Sequence, residues 1–423
     1  MDWANVNIRD FGAVGDGITD DTVAFQQAIH FVQQVGGGTV VVNGGGGSFA
    51  SHYRSLPIKL TSNMVFYIEK GAMISAINDE KAWPLEHPFP SYAAEGDYLQ
   101  YTGYLGGSNL VNVSIVGEGL ESVVDGQGEY WWKQTREHTN KHTAAHLVQF
   151  SHSKQIRLMN LKLIDSPAWN THFYDCDDVH VKEVHIRAPE YSNFTDGFDP
   201  DSSRNVLIED STYHGGDDCV AIKSGKDCFG VAFAKPCVNI TVRNLTCHGF
   251  SAGIAIGSEL SGGIENVTIE NIRFTKSNKP ADIKSSIKRG GYVKNVVWKD
   301  IFVTGSLQRA IHVDMFHYND SPNPFCPPDW EPPSLTQISN LTFVRFDGRG
   351  SSYIDYKHRP NETFHFMVYD EMPMRNIYME DIYFPDNEYG QSWNCNAVEG
   401  GIVVNGSVRP WPPCSEFDVV NPK

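Results

Sequence analysis

One short pattern of polar and apolar positions recurs along the chain: Asn or Asp, an aliphatic residue, any residue, then another apolar one. It occupies Asn112–Ile115, Asp178–Val181, Asn205–Ile208, Asn239–Val242, Asn266–Ile269, Asn295–Trp298, Asn340–Phe343 and Asn376–Met379. From Asp178 to Asn295 the anchors stand 27, 34, 27 and 29 residues apart. Each opens a run of alternating apolar and polar residues, the signature of a half-buried strand. Most are followed by a second short strand, as at Val242–Leu245 and Ile269–Ile272. Strand repeats of this period, separated by Gly, Asn, Asp and Ser turns, predict a solenoid of parallel strands, whose units bury their apolar faces only by stacking. A leucine-rich repeat would need its Leu spacing and a helix per repeat, and a propeller would need longer, more regular repeats. The expectation is an all-β chain, a single-stranded parallel β-helix.

A stack of this kind needs its end strands covered. Residues 19–35 predict a short capping helix within an N-terminal cap of about residues 1–50. Thr19 is the expected N-cap, Asp20 and Asp21 suit the positive first turn, and Phe25, Ile29 and Val32 share one face. Gly36, Gly37 and Gly38 stop the helix. At the other end, a tail over about 385–423, with Pro410, Pro412, Pro413, Cys395 and Cys414, reads as wrapping back on the solenoid. No interdomain linker is visible, so residues 1–423 are expected to form one domain.

Composition narrows the compartment and the partners. The 423 residues are 40% hydrophobic, enough for a long core, and no run approaches the roughly 20 apolar residues of a membrane span. Met1, Asp2 and Trp3 carry no leader, which fits either a cytosolic protein or a mature secreted form. Eight cysteines and nine Asn-x-Ser/Thr sequons, at Asn112, Asn193, Asn239, Asn244, Asn266, Asn319, Asn340, Asn361 and Asn405, favour the secreted form. A formal charge of -17 argues against nucleic acid as a partner. The expectation is a monomer without cofactor, metal, nucleic-acid or membrane partner. The same charge disfavours a polyanionic substrate unless the groove is locally basic.

Chemistry concentrates in two adjacent repeats. Asp196 lies 21 and 22 residues before Asp217 and Asp218, about one turn of the solenoid. One turn of a parallel stack places side chains about 4.8 Å apart. Carboxylates so close push at least one pKa upward, as a general acid requires while its neighbours stay bases. Asp-Asp and Asp-Gly also form ordinary turns, and clustered carboxylates also bind Ca²⁺, so spacing alone leaves all three readings open.

Thr195–Gly197, Gly216–Asp218 and Ile222–Gly225 resemble the central motifs of glycoside hydrolase family 28, the polygalacturonases. Further matches run along most of the chain: Asp10–Gly17 with Thr19–Asp21, Asp125–Gly128 with Trp131 and Trp132, Ile254–Glu259, Ser261–Gly263, Lys284 and Arg289–Tyr292. They resemble the plant-like and exo-acting branch. The resemblance implies a right-handed, pectin lyase-like β-helix that hydrolyses α-glycosidic bonds of a pectic polysaccharide outside the cell, with inversion. It implies Asp217 as general acid, with Asp196 and Asp218 activating water. Inversion requires room for that water between acid and base. It also implies a disulfide between Cys219 and Cys247; Cys228–Cys237 and Cys395–Cys414 are the further expected pairs.

Three positions depart from the family pattern. Phe194 stands where Asn precedes Thr-Asp, Ala252 stands for the His of Gly-His-Gly, and Asp282 stands for the Arg of Arg-Ile-Lys. Lys284 still offers one positive charge to a substrate carboxylate, without the bidentate Arg fork, and Asp282 would repel a uronate if it faced the groove. Arg289, Lys223, Lys226 and Lys288 are candidate replacements, and His248 is a candidate for the missing imidazole. A rhamnogalacturonan or substituted-pectin hydrolase is the alternative inside the family. A calcium-dependent lyase and a non-catalytic glycan-binding β-helix are the alternatives outside it. Trp131, Trp132, Trp169, Tyr174 and Tyr191 are expected mainly to pack the solenoid. Asn193, close to Asp196, is expected to carry no glycan.

Overall fold

The two halves of the recurring motif have a backbone reason. In the computed structural model, which describes residues 3–45, 51–317, 322–354 and 362–422, the anchor residues all have positive φ: 60° at Asp178, 55° at Asn205, 59° at Asn239, 57° at Asn266 and Asn295, 56° at Asn340 and 59° at Asn376. Asn and Asp tolerate this left-handed region better than other side chains. Five residues beyond each of these seven anchors comes a second positive-φ position, at Glu183, Asp210, Asn244, Asn271, Asp300, Arg345 and Asp381. Long strands such as Ile264–Lys276 and Tyr292–Leu307 therefore bend twice and bury residues on the inner side of each bend. The sequons at Asn319 and Asn361 lie outside the described residues.

Successive coils stack in parallel register. Ile240, Val267, Val296, Leu341 and Ile377 form one continuous aliphatic column. Outside it, the anchors hydrogen-bond as a ladder: Asn266 donates to Asn239 at 3.4 Å, Asn295 to Asn266 at 3.1 Å, Asn340 to Asn295 at 2.8 Å and Asn376 to Asn340 at 2.9 Å. The fold is a right-handed parallel β-helix, as expected. Trp131, Trp132 and Tyr174 are buried packing residues, whereas Tyr191 is exposed. No helix among the described residues is long and apolar enough to cross a membrane.

The chain folds as two compact units. The first takes residues 1–88, 98–199 and 204–216, the second 89–97, 200–203 and 217–423. The first unit contains the capping helix α1, Thr22–Gln34, with Phe25, Ile29 and Val32 buried. Thr19 is not its N-cap. Residues Asp16–Asp20 pair as a strand with the strand Ser51–Ser55, so the helix starts later and Asp21 occupies the cap position. The Asp21 carboxylate takes the Val14 and Gly15 N–H groups rather than a helical one.

In the second unit, six parallel strands form one sheet in chain order: β1 (Val220–Ile222), β2 (Ala252–Ile256), β3 (Lys279–Lys284), β4 (Ile311–Asp314), β5 (Glu362–Met367) and β6 (Gln391–Cys395). Ile256, Ile283, Val313 and Phe366 are register partners and buried. Their neighbours Ala255, Asp282, His312, His365 and Asn394 form the adjacent column, which by strand alternation projects from the other face.

Cys219 is bonded to Cys247 and Cys395 to Cys414, as expected, but Cys228 is bonded to Cys326 rather than Cys237. Cys237 opens the strand Cys237–Gly249 and is buried as a free thiol, like Cys176. Cys228 sits on the short helix Asp227–Phe233, where it meets a segment 98 residues further on.

Candidate active site

The first unit fixes the backbone that carries Asp196 and the Gly216 that precedes Asp217. The Thr195 hydroxyl donates to the Ser192 carbonyl at 2.9 Å and accepts from the Gly216 N–H at 3.2 Å. The Tyr213 hydroxyl donates to the Thr195 carbonyl at 3.0 Å. Asn170 donates from its backbone and its side-chain amide to the Asp196 carbonyl, at 2.8 and 3.0 Å. Gly216 has no room for a side chain, since a Cβ would lie 2.1 Å from the Ser192 carbonyl oxygen. Asp196 and Asp217 are the residues that follow the hydrogen-bonded Thr195 and Gly216. Asp196 is buried, while Phe194, at φ 62°, is exposed.

The second unit holds Asp217, Asp218 and most of the expected cations. Asp217 is half-buried, and its carboxylate accepts the Asp218 N–H at 3.0 Å. The Asp218 side chain is 2% exposed and meets three donors. Its Oδ1 accepts from the Ser251 hydroxyl at 2.6 Å and the Ala252 N–H at 2.9 Å, and its Oδ2 pairs with the Lys284 ammonium at 2.6 Å. Burial opposes its charge, but Lys284, Ser251 and Lys223 outweigh burial and hold its pKa below the ordinary carboxylate range. Burial likewise opposes the charge on Lys284, and Asp218 and Asp282 more than offset it. The result is a buried carboxylate whose charged form is favoured by donors already in place.

The other candidates are distributed unequally. Lys223 is buried beside this group and faces Glu259 at 3.4 Å. Arg289 is placed differently from the substrate-binding expectation. It is fully buried, and its guanidinium is bonded to Asp227 at 2.6 Å. The second oxygen of Asp227 accepts the Asn323 N–H at 2.7 Å, and the Lys226 N–H bonds the Ser91 carbonyl at 2.9 Å. Arg289 therefore belongs to a buried clasp on the segments around Ser91 and Asn323. Lys288 is bonded to the Trp330 carbonyl and to Glu331. His248 lies near the end of the strand Cys237–Gly249, with Nδ1 2.9 Å from the Thr275 hydroxyl.

Asp282 is buried, with Lys279 at 3.3 Å and His312 at 2.6 Å. Its charge is offset locally, which removes the repulsion expected of a bare carboxylate in the Arg position. Ser251, Lys279 and His312 were not singled out by sequence reasoning. A serine donating to Asp218 has no motif of its own, and the Lys279 ammonium and the His312 imidazole act on a residue that itself departs from the family pattern.

A family model described as Glycosyl hydrolases family 28 matches residues 93–405. A second, described as Rhamnogalacturonase A/epimerase, pectate lyase-like, matches residues 5–67. A protein of Vitis vinifera named Probable polygalacturonase is 37% identical over 312 residues, covering 73% of this chain; the match spans 61% of that relative's length. Among solved structures, the chain is similar to an exopolygalacturonase of Thermotoga maritima, with TM-score 0.64 and 23% identity, covering 92% of this chain and 90% of the other. It is also similar to a family 28 exopolygalacturonase of Yersinia enterocolitica, with TM-score 0.74 and 16% identity, covering 97% and 79%. At these identities the two structures speak for the fold.

Proposed function

Because the chain belongs to glycosyl hydrolases family 28, we propose that it hydrolyses the α-glycosidic bonds of a pectic galacturonan, with Asp217 as general acid and Asp196 and Asp218 as the bases that activate water. The observation that carries this reading is the environment of Asp218. A base must be ionised at the moment of attack, and here Lys284, Ser251 and the Ala252 N–H hold the negative charge of a buried carboxylate. Asp217, next in the chain and less buried, is the proton donor to the leaving oxygen in this reading. With the charge of Asp282 offset by Lys279 and His312, the departure from the Arg-Ile-Lys pattern leaves Lys284 as the cation of that segment. Its ammonium already pairs Asp218, so a substrate carboxylate there would share it.

Three disulfides are consistent with an oxidising compartment, and the protein is read as a secreted monomer acting on cell-wall pectin.

The test is reducing-sugar release from polygalacturonate, with the anomer of the first product followed by proton NMR. Inversion of an α-linkage releases the β-anomer first. Asp217→Asn is expected to lower kcat by about 10²–10⁴-fold, the range for loss of a general acid. An α-anomer formed first, or a variant retaining more than about a tenth of the wild-type rate, would refute the assignment.

A further inference from the structure

Beyond Lys284, on the same sheet of the second unit, stands a cluster that the hydrolytic reading does not use. His312 on β4 and His365 on β5 are register partners, and their rings stack with centroids 4.8 Å apart and planes 26° apart. Asp314 lies two residues after His312, on the same face of β4. Its Oδ2 is 3.4 Å from His312 Nε2 and 3.8 Å from His365 Nε2. Its other oxygen is taken by the Phe316 N–H at 2.6 Å, which fixes the carboxylate with one oxygen toward the two imidazoles.

We propose that His312, Asp314 and His365 form a binding site for a divalent first-row transition ion, zinc by preference, with His312 Nε2, His365 Nε2 and Asp314 Oδ2 as ligands. The three ligand atoms lie within 4.8 Å of one another. Both nitrogen–oxygen separations exceed the 2.7–3.2 Å range of a good N–H···O bond. They suit a tetrahedral ion instead. Bonds of about 2.0–2.1 Å at tetrahedral angles put neighbouring ligand atoms about 3.3–3.4 Å apart; the His312–Asp314 pair already fits, the His365–Asp314 pair must close by a few tenths of an ångström, and the two imidazole nitrogens must converge to the same spacing.

The outer partners also match a metal site. A metal-bound His usually gives its second ring N–H to a carboxylate, which fixes the tautomer and leaves the other nitrogen as the ligand. His312 Nδ1 is 2.6 Å from Asp282 and meets this requirement; His365 Nδ1 faces Glu362 at 3.5 Å, without a hydrogen bond. Each of these carboxylates has its own cation: Lys279 at 3.3 Å from Asp282 and Arg309 at 2.8 Å from Glu362. Lys284, the register partner of Asp314, is paired with Asp218 at 2.6 Å. Asp314 thus remains the carboxylate available to a dication, and two imidazoles favour zinc or its neighbours over calcium or magnesium. Three protein ligands leave a fourth position for water or a carboxylate.

The site is independent of the assignment of Asp196, Asp217 and Asp218, and so is its test. Full-length protein stripped with chelator and dialysed would be titrated with Zn²⁺ by calorimetry and with Co²⁺ by visible absorption. The expected result is one equivalent per chain, d–d bands of a tetrahedral Co²⁺ site, and a Zn²⁺-dependent rise in Tm. His365→Gln should weaken Zn²⁺ binding about 100-fold or more and abolish the rise in Tm. Asp314→Asn serves as a second variant should the first fail to fold. Absence of stoichiometric uptake by the wild type would overturn the proposal. So would wild-type affinity in either folded variant.

Discussion

Removal of the Lys284 ammonium is the perturbation whose cost the structure defines most closely. Lys284→Met keeps a long, flexible stem and deletes the charge 2.6 Å from the Asp218 carboxylate. Both side chains are mostly buried, at 14% and 2% exposure, so water cannot replace the lost partner freely. Ser251 and the Ala252 N–H remain on the other carboxylate oxygen. Unit charges 4 Å apart at an effective dielectric of about 20 interact by about 4 kcal/mol, and breaking one side of a buried pair typically costs about 3–5 kcal/mol. For a chain of 423 residues, an unfolding entropy of about 2.1 cal/mol/K per residue converts this loss into a Tm lower by roughly 3–6 °C.

The assay is differential scanning calorimetry of the wild type, Lys284→Met, Asp218→Asn and the double variant, at neutral and acidic pH. The double variant removes the stranded charge while an amide oxygen can still accept from Ser251 and Ala252, so it should regain about 2 kcal/mol over Lys284→Met. The sign with pH follows from the depressed folded-state pKa of Asp218. Its contribution is fully present above the ordinary carboxylate pKa and is lost as pH falls through the lower folded value. The gap between wild type and Lys284→Met should therefore be widest near neutrality and narrow in acid. A single variant within about 1 kcal/mol of wild type at pH 7, or a double variant no more stable than the single, would show that the pair does not carry this energy.

Two further outcomes can be checked without substrate. Burial and the charge of Asp125 raise the Asp165 pKa to about 6, so its folded form holds a proton that the unfolded chain, near 3.9, has released; stability should fall as pH rises from about 4 to 6, and Asp165→Asn, at a φ of 47° that Asn tolerates, should gain about 1–2 kcal/mol at pH 7 and nothing below pH 4 by urea denaturation, after discounting partial exposure. A gain that persists unchanged at low pH would contradict that linkage. Under denaturing, non-reducing conditions two thiols should titrate, rising to all eight cysteines after reduction; labelling them before digestion should mark Cys176 and Cys237, and a label on Cys326 would refute the Cys228–Cys326 pairing.

The solenoid was legible because its backbone demand is written in residue type. Asn and Asp recur where the chain must turn left-handed, and aliphatic residues recur on either side. The second bend of each coil was harder to see, since Glu183 and Arg345 fill it as readily as Asn244. Helix α1 was found but begun too early: Thr19 is a good N-cap by type, yet its segment is held as a strand against residues 51–55, a pairing no local pattern announces. The Cys228 partner was missed for the same reason, because Cys326 lies 98 residues away in the chain.

The site divides along a similar line, between what a side chain is and what it is paired with. Motif spacing named Asp196, Asp217, Asp218 and Lys284, and offered Lys223, Lys226, Lys288 and Arg289 as candidate substrate contacts. Arg289 is placed otherwise. A guanidinium with no exposed surface, bonded to Asp227, is an internal strut however well its neighbours match a motif. The departures resolve in the same terms. Ala252 serves Asp218 through its backbone N–H, which any residue but proline would supply, so loss of an imidazole there leaves that hydrogen bond intact. Asp282 brought a negative charge into the sheet, and Lys279 and His312 answer it at 3.3 and 2.6 Å. Substitution of Asp282 alone would therefore leave Lys279 and His312 without their carboxylate, while Asp218 would keep all three of its donors. Conversion toward the family's Arg is a change to at least three residues, not one.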